Sequence, residues 1–212
     1  MRQAITIKQN NDPELSLSAP IHRSSADSRQ QALVQAAFDI IAERGLEGLR
    51  TREIAARAGM NIAMVHYYFA GKESLIGGVV DYLADQFTNI QAAPVAQGKL
   101  SPLQRLRQEF ADSCIYTNNH TKLGIVYEEL FLRSRRDPSI LPMLQYLEKY
   151  WFGDVESILK DGVQEGVFRS DIDIELAVNM IMALLRGALM ITVHPFDFKR
   201  TCLEVERWLT SK

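Results

Sequence analysis

The stretch Thr51-Arg-Glu-Ile-Ala-Ala-Arg-Ala-Gly-Met-Asn-Ile-Ala-Met-Val-His-Tyr-Tyr-Phe69 decides how this chain is read. Thr51 is a good N-cap for a helix opening at that point. Ile54 and Ala58 lie one turn apart and point inward. Ala55 is small, which lets a second helix cross closely. Gly59 can take the left-handed conformation that turns the chain sharply after one short helix. Met60 fills the core under the turn, and Asn61 caps the next helix. Val65, Tyr68 and Phe69 anchor that helix from below, which leaves Ile62, Ala63, His66 and Tyr67 outward. The spacing predicts a helix-turn-helix over roughly residues 51–69, and the outward face is the one that would lie in a major groove. The plainer alternative is one more short helix pair in a helical protein. The whole set of features at fixed offsets argues against it, as do the amphipathic helix in front and Gly71-Lys72-Glu73 behind.

Working outward, helical periodicity continues in both directions. A first helix is expected from Ser28 to Gly45, with Leu33, Ala37, Ile40 and Ile41 on one stripe. A helix from Lys72 towards Ile90 carries Leu75, Val79, Leu83 and Phe87. Pro94 and Gly98 interrupt the pattern. Ser101-Pro102 opens the next helix, Ser as cap and Pro at the first helical position. Further helices are expected over about 122–136, 139–166 (with a break possible at Pro142), 173–193 and 197–210. Strand-like alternation with hairpin turns is absent. The fold class is therefore all-α: an N-terminal three-helix helix-turn-helix domain on a larger C-terminal helical domain. The expected boundaries are 1–27 for a flexible tail, 28–75 for the helix-turn-helix domain and 76–212 for the helical remainder.

About Arg29 to Leu75 the sequence resembles the tetracycline-repressor (TetR) family. The resemblance rests on the first helix ending Glu43-Arg44-Gly45, on Thr51-Arg-Glu-Ile-Ala-Ala-Arg-Ala-Gly59, and on Tyr67-Tyr-Phe-Ala-Gly-Lys-Glu-Ser-Leu75. It implies an all-helical homodimer on a palindromic double-stranded operator, with a small-molecule effector held in the C-terminal domain and usually repression relieved by that effector. The chain departs from the family pattern at Met64, where Ser or Thr is common, and at His66, where a phosphate-binding Tyr is common. The reading face is thereby less polar. The expected DNA-binding residues are Thr51, Arg52, Asn61, Ile62, Ala63, His66, Tyr67 and Lys72. By the resemblance Arg52 reaches a guanine edge, for which a bidentate guanidinium is suited; the alternative is a solvated charge paired with a neighbouring acid. Lys72 lies near a helix start, where ammonium and backbone N–H groups can hold a phosphate together. Arg50 and Arg57 are candidates for electrostatic steering.

Composition limits the alternatives. A net charge of −2 is not that of a protein that coats nucleic acid,. Residues 28–77 hold Arg29, Arg44, Arg50, Arg52, Arg57 and Lys72 against Asp39, Glu43, Glu47, Glu53 and Glu73. The reading domain is near neutral, so bulk charge cannot supply specificity, and two heads should be needed for tight binding. Cys114 and Cys202 are too few for a disulfide framework and fit a reducing cytoplasm. They are read as two small buried residues before a redox pair. No signal peptide or membrane span is expected, since Asn179 and Arg186 interrupt the most apolar run, Leu176 to Val193. His22, His66, His120 and His194 have no metal-ligand spacing, and no phosphate-binding glycine loop, serine elbow or His-Glu-x-x-His pattern occurs. No cofactor, metal site or catalytic residue is expected. A helical ligand-binding protein without DNA binding remains the rival to be tested.

In the C-terminal part, Leu176, Met180, Ala183, Leu184, Gly187 and Ile191 recur at helical spacing, and Val205 and Trp208 follow in the last helix. By the resemblance the two helices form a four-helix dimer interface; the alternative is intramolecular core. Phe110, Cys114, Tyr127, Phe131, Leu147 and Trp151 either line a ligand cavity or fill a core. Arg107, Glu128, Glu129 and Asn179 are candidate polar contacts. Few polar groups in a pocket would suit a mainly apolar ligand.

Overall fold

The computed structural model describes residues 25–89, 92–119, 121–190 and 197–210. Among them every regular element is helical. Helix α1 (Ser25–Arg44) leads through a 3₁₀ turn (Leu46–Gly48) to α2 (Thr51–Arg57) and α3 (Ile62–Tyr68). There follow α4 (Lys72–Asn89), α5 (Pro102–Asn119), α6 (Thr121–Ser134), α7 (Leu141–Gln164), α8 (Ile174–Met190) and α9 (Phe198–Thr210). The predicted N-terminal tail lies outside the described residues up to residue 24, and α1 begins at Ser25, three residues before the expected start. Ile191 and the His194-Pro195 break also lie outside them.

The apolar stripe of α1 is fully buried at Leu33, Ala37, Ile40 and Ile41. Gly45, at φ +66°, takes the chain out of the helix. Two capping expectations come out differently. Thr51 is the first helical residue of α2, and Arg50, in extended conformation, stands at the cap without a side-chain hydrogen bond. Pro142 sits in the first turn of α7, where a missing N–H costs nothing, so α7 runs on unbroken,. At α5 the cap is reciprocal: Gln104 Oε1 accepts the Ser101 N–H at 2.9 Å and Ser101 Oγ accepts the Gln104 N–H at 3.4 Å,.

Two apolar cores form. The first joins α1 to α4 with α6 and the start of α7. The second joins α5, the later part of α7, α8 and α9. The buried face of α1 thus rests not only on α2 to α4 but on Leu123, Val126 and Leu130 of α6.

Candidate DNA-reading surface and effector region

The helix pair is built tightly. Ile54 and Ala55 are each 2% exposed, Val65 5% and Phe69 4%. Gly59 has φ +67°, and beyond it the Met60 N–H returns to the Ala55 carbonyl at 2.8 Å. Asn61 Oδ1 accepts the Met64 N–H at 3.0 Å, closing the cap of α3,. With that scaffold buried, α3 turns Ile62, Ala63, His66 and Tyr67 to solvent, Tyr67 at 78% exposure. Met64 is half-buried, and Tyr68 packs edge-on against Tyr67 with ring centroids 5.0 Å apart.

Charges on this domain sort into spent and available. Arg57 makes a double hydrogen bond to Glu43, at 2.7 and 2.6 Å, which draws the Glu43 carboxyl below its ordinary range. Arg44 pairs with Glu53. Arg57 is therefore neutralised in place rather than free to steer. Arg50 and Arg52 are exposed and make no ion pair among the described residues. Thr51 is half-buried at the start of α2. Lys72, at the start of α4, donates Nζ to the Leu46 carbonyl at 3.1 Å; its two remaining N–H bonds are directed elsewhere.

The residues expected around an effector do not gather in one place. Tyr127 belongs to the first core, with Phe131 and Leu147 packed against it; Phe110 belongs to the second, with Trp151 against it. Cys114 is half-buried on α5. Arg107 is held by Glu206 at 2.9 and 2.7 Å. Asn179 is exposed on the same side of α8 as Leu176, Met180 and Ala183, which takes it out of a pocket reading. Glu129 turns towards the 3₁₀ turn instead of inward, accepting the Leu46 N–H at 2.9 Å.

Sequence reasoning missed the polar link between the two cores. Tyr127 donates its hydroxyl to Glu148 Oε1, and Arg186 Nη2 donates to Glu148 Oε2 at 2.6 Å. The Arg186 guanidinium lies over the Phe152 ring, 5.0 Å from its centroid, and its Nε is buried with no partner among the described residues. Burial, and then Glu148, push the Tyr127 phenol well above its ordinary value. A lone arginine in an apolar helix demands an acid; nothing in the sequence said which. On α5, burial and the neighbouring Asp112 and Asp154 push Glu109 up to about 7, against a hydrogen bond from Trp151. Burial pushes Cys202 up to about 12 and raises Cys114 as well, so neither is a ready thiolate and the redox reading is not favoured,.

Helix α8 is apolar on two sides. Ala177, Val178, Ile181, Met182 and Leu185 are buried inward. Leu176 (60%) and Met180 (58%) are exposed outward with Ala183, and Leu184 and Gly187 flank them half-buried. A Cβ on Gly187 would meet nothing within 4 Å among the described residues, so none of the described helices uses that gap. Val205 and Trp208 of α9 are half-buried against the second core. Among the described residues no helix is long and apolar enough to cross a membrane, and no group of three metal-ligating side chains occurs.

A braced helix pair with an exposed second helix, on a larger helical body, defines a helix-turn-helix DNA-binding regulator. Residues 33–79 match the family described as bacterial regulatory proteins, tetR family. The chain is 28% identical over 166 residues to the HTH-type transcriptional repressor KstR2 of Mycobacterium tuberculosis, covering 73% of this chain and 76% of the relative. It is 26% identical over 164 residues to the HTH-type transcriptional repressor NicS of Pseudomonas putida, covering 77% of each. A TetR transcription regulator from Haloarcula marismortui has the same fold, with a TM-score of 0.73 at 20% identity over 86% of this chain and 98% of that one. Residues 33–79 thus resemble the DNA-binding domain of tetR-family regulators, and the relatives similar over most of the chain are HTH-type transcriptional repressors: the chain is a DNA-binding regulator, not an enzyme.

Proposed function

We propose that the protein is a cytoplasmic repressor that binds a palindromic operator as a homodimer and is released by a small, mainly apolar effector. In this reading residues 28–75 form the DNA-reading unit, and residues 76–212 hold the effector and the dimer interface. The observation that carries it is the exposed face of α3. Ile62, Ala63, His66 and Tyr67 stand out from a scaffold buried at Ile54, Ala55, Val65 and Phe69, with Arg52, which has no ion pair among the described residues, at the start of α2. Arg52 reads a base edge; Ile62, Ala63 and Tyr67 meet thymine methyls or the backbone; Thr51, Asn61, His66 and Lys72 lie at the margins, where phosphates run. The outer face of α8 supports the dimer, because an aliphatic stripe of that length is covered in stable proteins. The effector site is assigned to the seam between the cores, among Tyr127, Phe131, Leu147, Glu148, Trp151 and Arg186. The side chains along that seam are mainly apolar, which suits a mainly apolar ligand, and one hydrogen-bond acceptor on it would satisfy the buried Arg186 Nε,. Bound effector would favour a spacing of the two heads that no longer fits the operator.

Selection of bound fragments from a random DNA pool tests this directly. The full chain should return an inverted repeat with half-sites about one helical turn apart. A pool with no repeated motif at moderate salt would overturn the operator reading.

A further inference from the structure

Leu46 is held at both of its backbone polar atoms by residues far along the chain. Its N–H is accepted by Glu129 Oε1 of α6 at 2.9 Å, and its carbonyl accepts Lys72 Nζ of α4 at 3.1 Å. The 3₁₀ turn that Leu46 opens has no side-chain cap of its own, so Glu129 supplies from another element what Gly45 cannot,. Gly45 also clears the way: a Cβ there would stand 3.0 Å from Glu129 Oε1, and its φ of +66° disfavours any other residue,. Two ion pairs flank this contact, Arg133 to Glu47 at 2.8 Å and Lys122 to Asp39 at 2.7 Å. Both involve exposed side chains and are weakened by salt. The hydrogen bond from Leu46 is part-buried, directional and charge-assisted, which makes it the firmest of the three,. The turn it holds runs through Arg50 straight into α2.

We propose that Glu129 is a positioning residue for DNA recognition: by fastening the Leu46 turn to α6 it fixes the angle at which each reading head leaves the body of the protein. This rests on the dimeric reading above. Two heads on one operator must reach half-sites at a set separation. The stiffness of the joint at Leu46 then sets how strictly that separation is demanded.

The test uses the full chain and the inverted repeat it selects, with the spacer lengthened or shortened by one and by two base pairs. Wild-type protein should lose affinity steeply with each change. Glu129→Ala should bind the best spacing about fivefold more weakly and show a ratio between best and altered spacings that shrinks by a similar factor, since a loosened joint forgives misplacement. Its affinity for an isolated half-site should be unchanged. Glu129→Gln keeps a carbonyl that can accept the Leu46 N–H and should keep the wild-type ratio. An unchanged ratio in Glu129→Ala, or a Gln variant that behaves like Ala, overturns the proposal. Should Glu129→Ala fail to fold, Glu129→Met, which fills similar space without the carboxylate acceptor, is read the same way: a smaller ratio supports the joint, and a wild-type ratio overturns it,. A wild-type protein that selects only single half-sites would overturn the dimeric reading itself, a result distinct from an unchanged ratio.

Discussion

Helices α3 and α8 both turn apolar side chains to solvent, and the way they do so differs. On α3 the apolar face is seven residues long and mixed, with Ile62, Ala63 and Tyr67 interrupted by His66 and bordered by Asn61. On α8 it runs from Leu176 through Met180 and Ala183 to Gly187 and is aliphatic, with Asn179 as its polar member. A groove in DNA offers methyl groups beside hydrogen-bonding edges and phosphates, so a short mixed face suits it. A second protein helix offers only more aliphatic surface, so a long uniform face suits that. Exposed hydrophobic area is thus not one signal but two, separated by length and by what interrupts it.

The comparison breaks most readily on α8. Replacing Leu176 and Met180 with Asp should leave a folded monomer, visible by sedimentation, and lower operator affinity on the order of a hundredfold as the second half-site contact is lost. A dimer that survives both charges would assign the outer face of α8 some other role. On α3 the corresponding change is Arg52→Ala with Tyr67→Ala. It should leave the dimer intact and weaken operator binding by about 2 kcal/mol, roughly thirtyfold, in a gel-shift titration. Undiminished binding by the folded variant would move the reading surface elsewhere.

A third test separates the regions by pH. The Glu109 carboxyl, raised from 4.5 to about 7 chiefly by burial, holds its proton more tightly in the folded chain than in the unfolded one. The stability it contributes is therefore whole below about 4.5 and is lost as pH rises through about 7,. Glu109→Gln should stabilise the protein by about 1–2 kcal/mol at pH 8 and hardly at all at pH 5, followed by thermal melting. Because Glu109 lies on α5, the effect should appear in the body of the protein and leave DNA affinity at fixed pH unchanged. The smallest effect is expected from Asn61→Ala, which removes the cap of α3 and should cost about 1 kcal/mol. A drop in operator affinity of a few-fold without loss of the dimer would place that cost on the reading helix alone.

Much of the fold was legible because the helix-turn-helix is a local object. Its stops and caps, Gly59 and Asn61, and its inward positions Ile54, Ala55 and Val65 interact within about twenty residues, and periodicity exposes them. Thr51 was misplaced by one position, since a Thr can cap a helix or begin it and the sequence alone does not decide. The packing of the C-terminal helices was far less legible. Tyr127, Glu148 and Arg186 meet from three helices, and Glu129 reaches a backbone N–H 83 residues away. Such partners are set by how helices cross, which no local pattern records. Asn179 illustrates the cost: a polar residue in an apolar run reads equally well as a pocket contact or as the polar member of an outer face.

The double hydrogen bond between Arg57 and Glu43 has a consequence for how the protein searches a chromosome. With Arg57 and Arg44 each tied to an acid, a head brings few loose cations to the double helix, and binding releases few condensed counterions,. Each phosphate neutralised contributes a slope of about −0.9 in log affinity against log salt, so the slope here should be shallow. Random-sequence DNA then offers little hold, and the protein should spend its time free in solution between operators rather than sliding along the duplex.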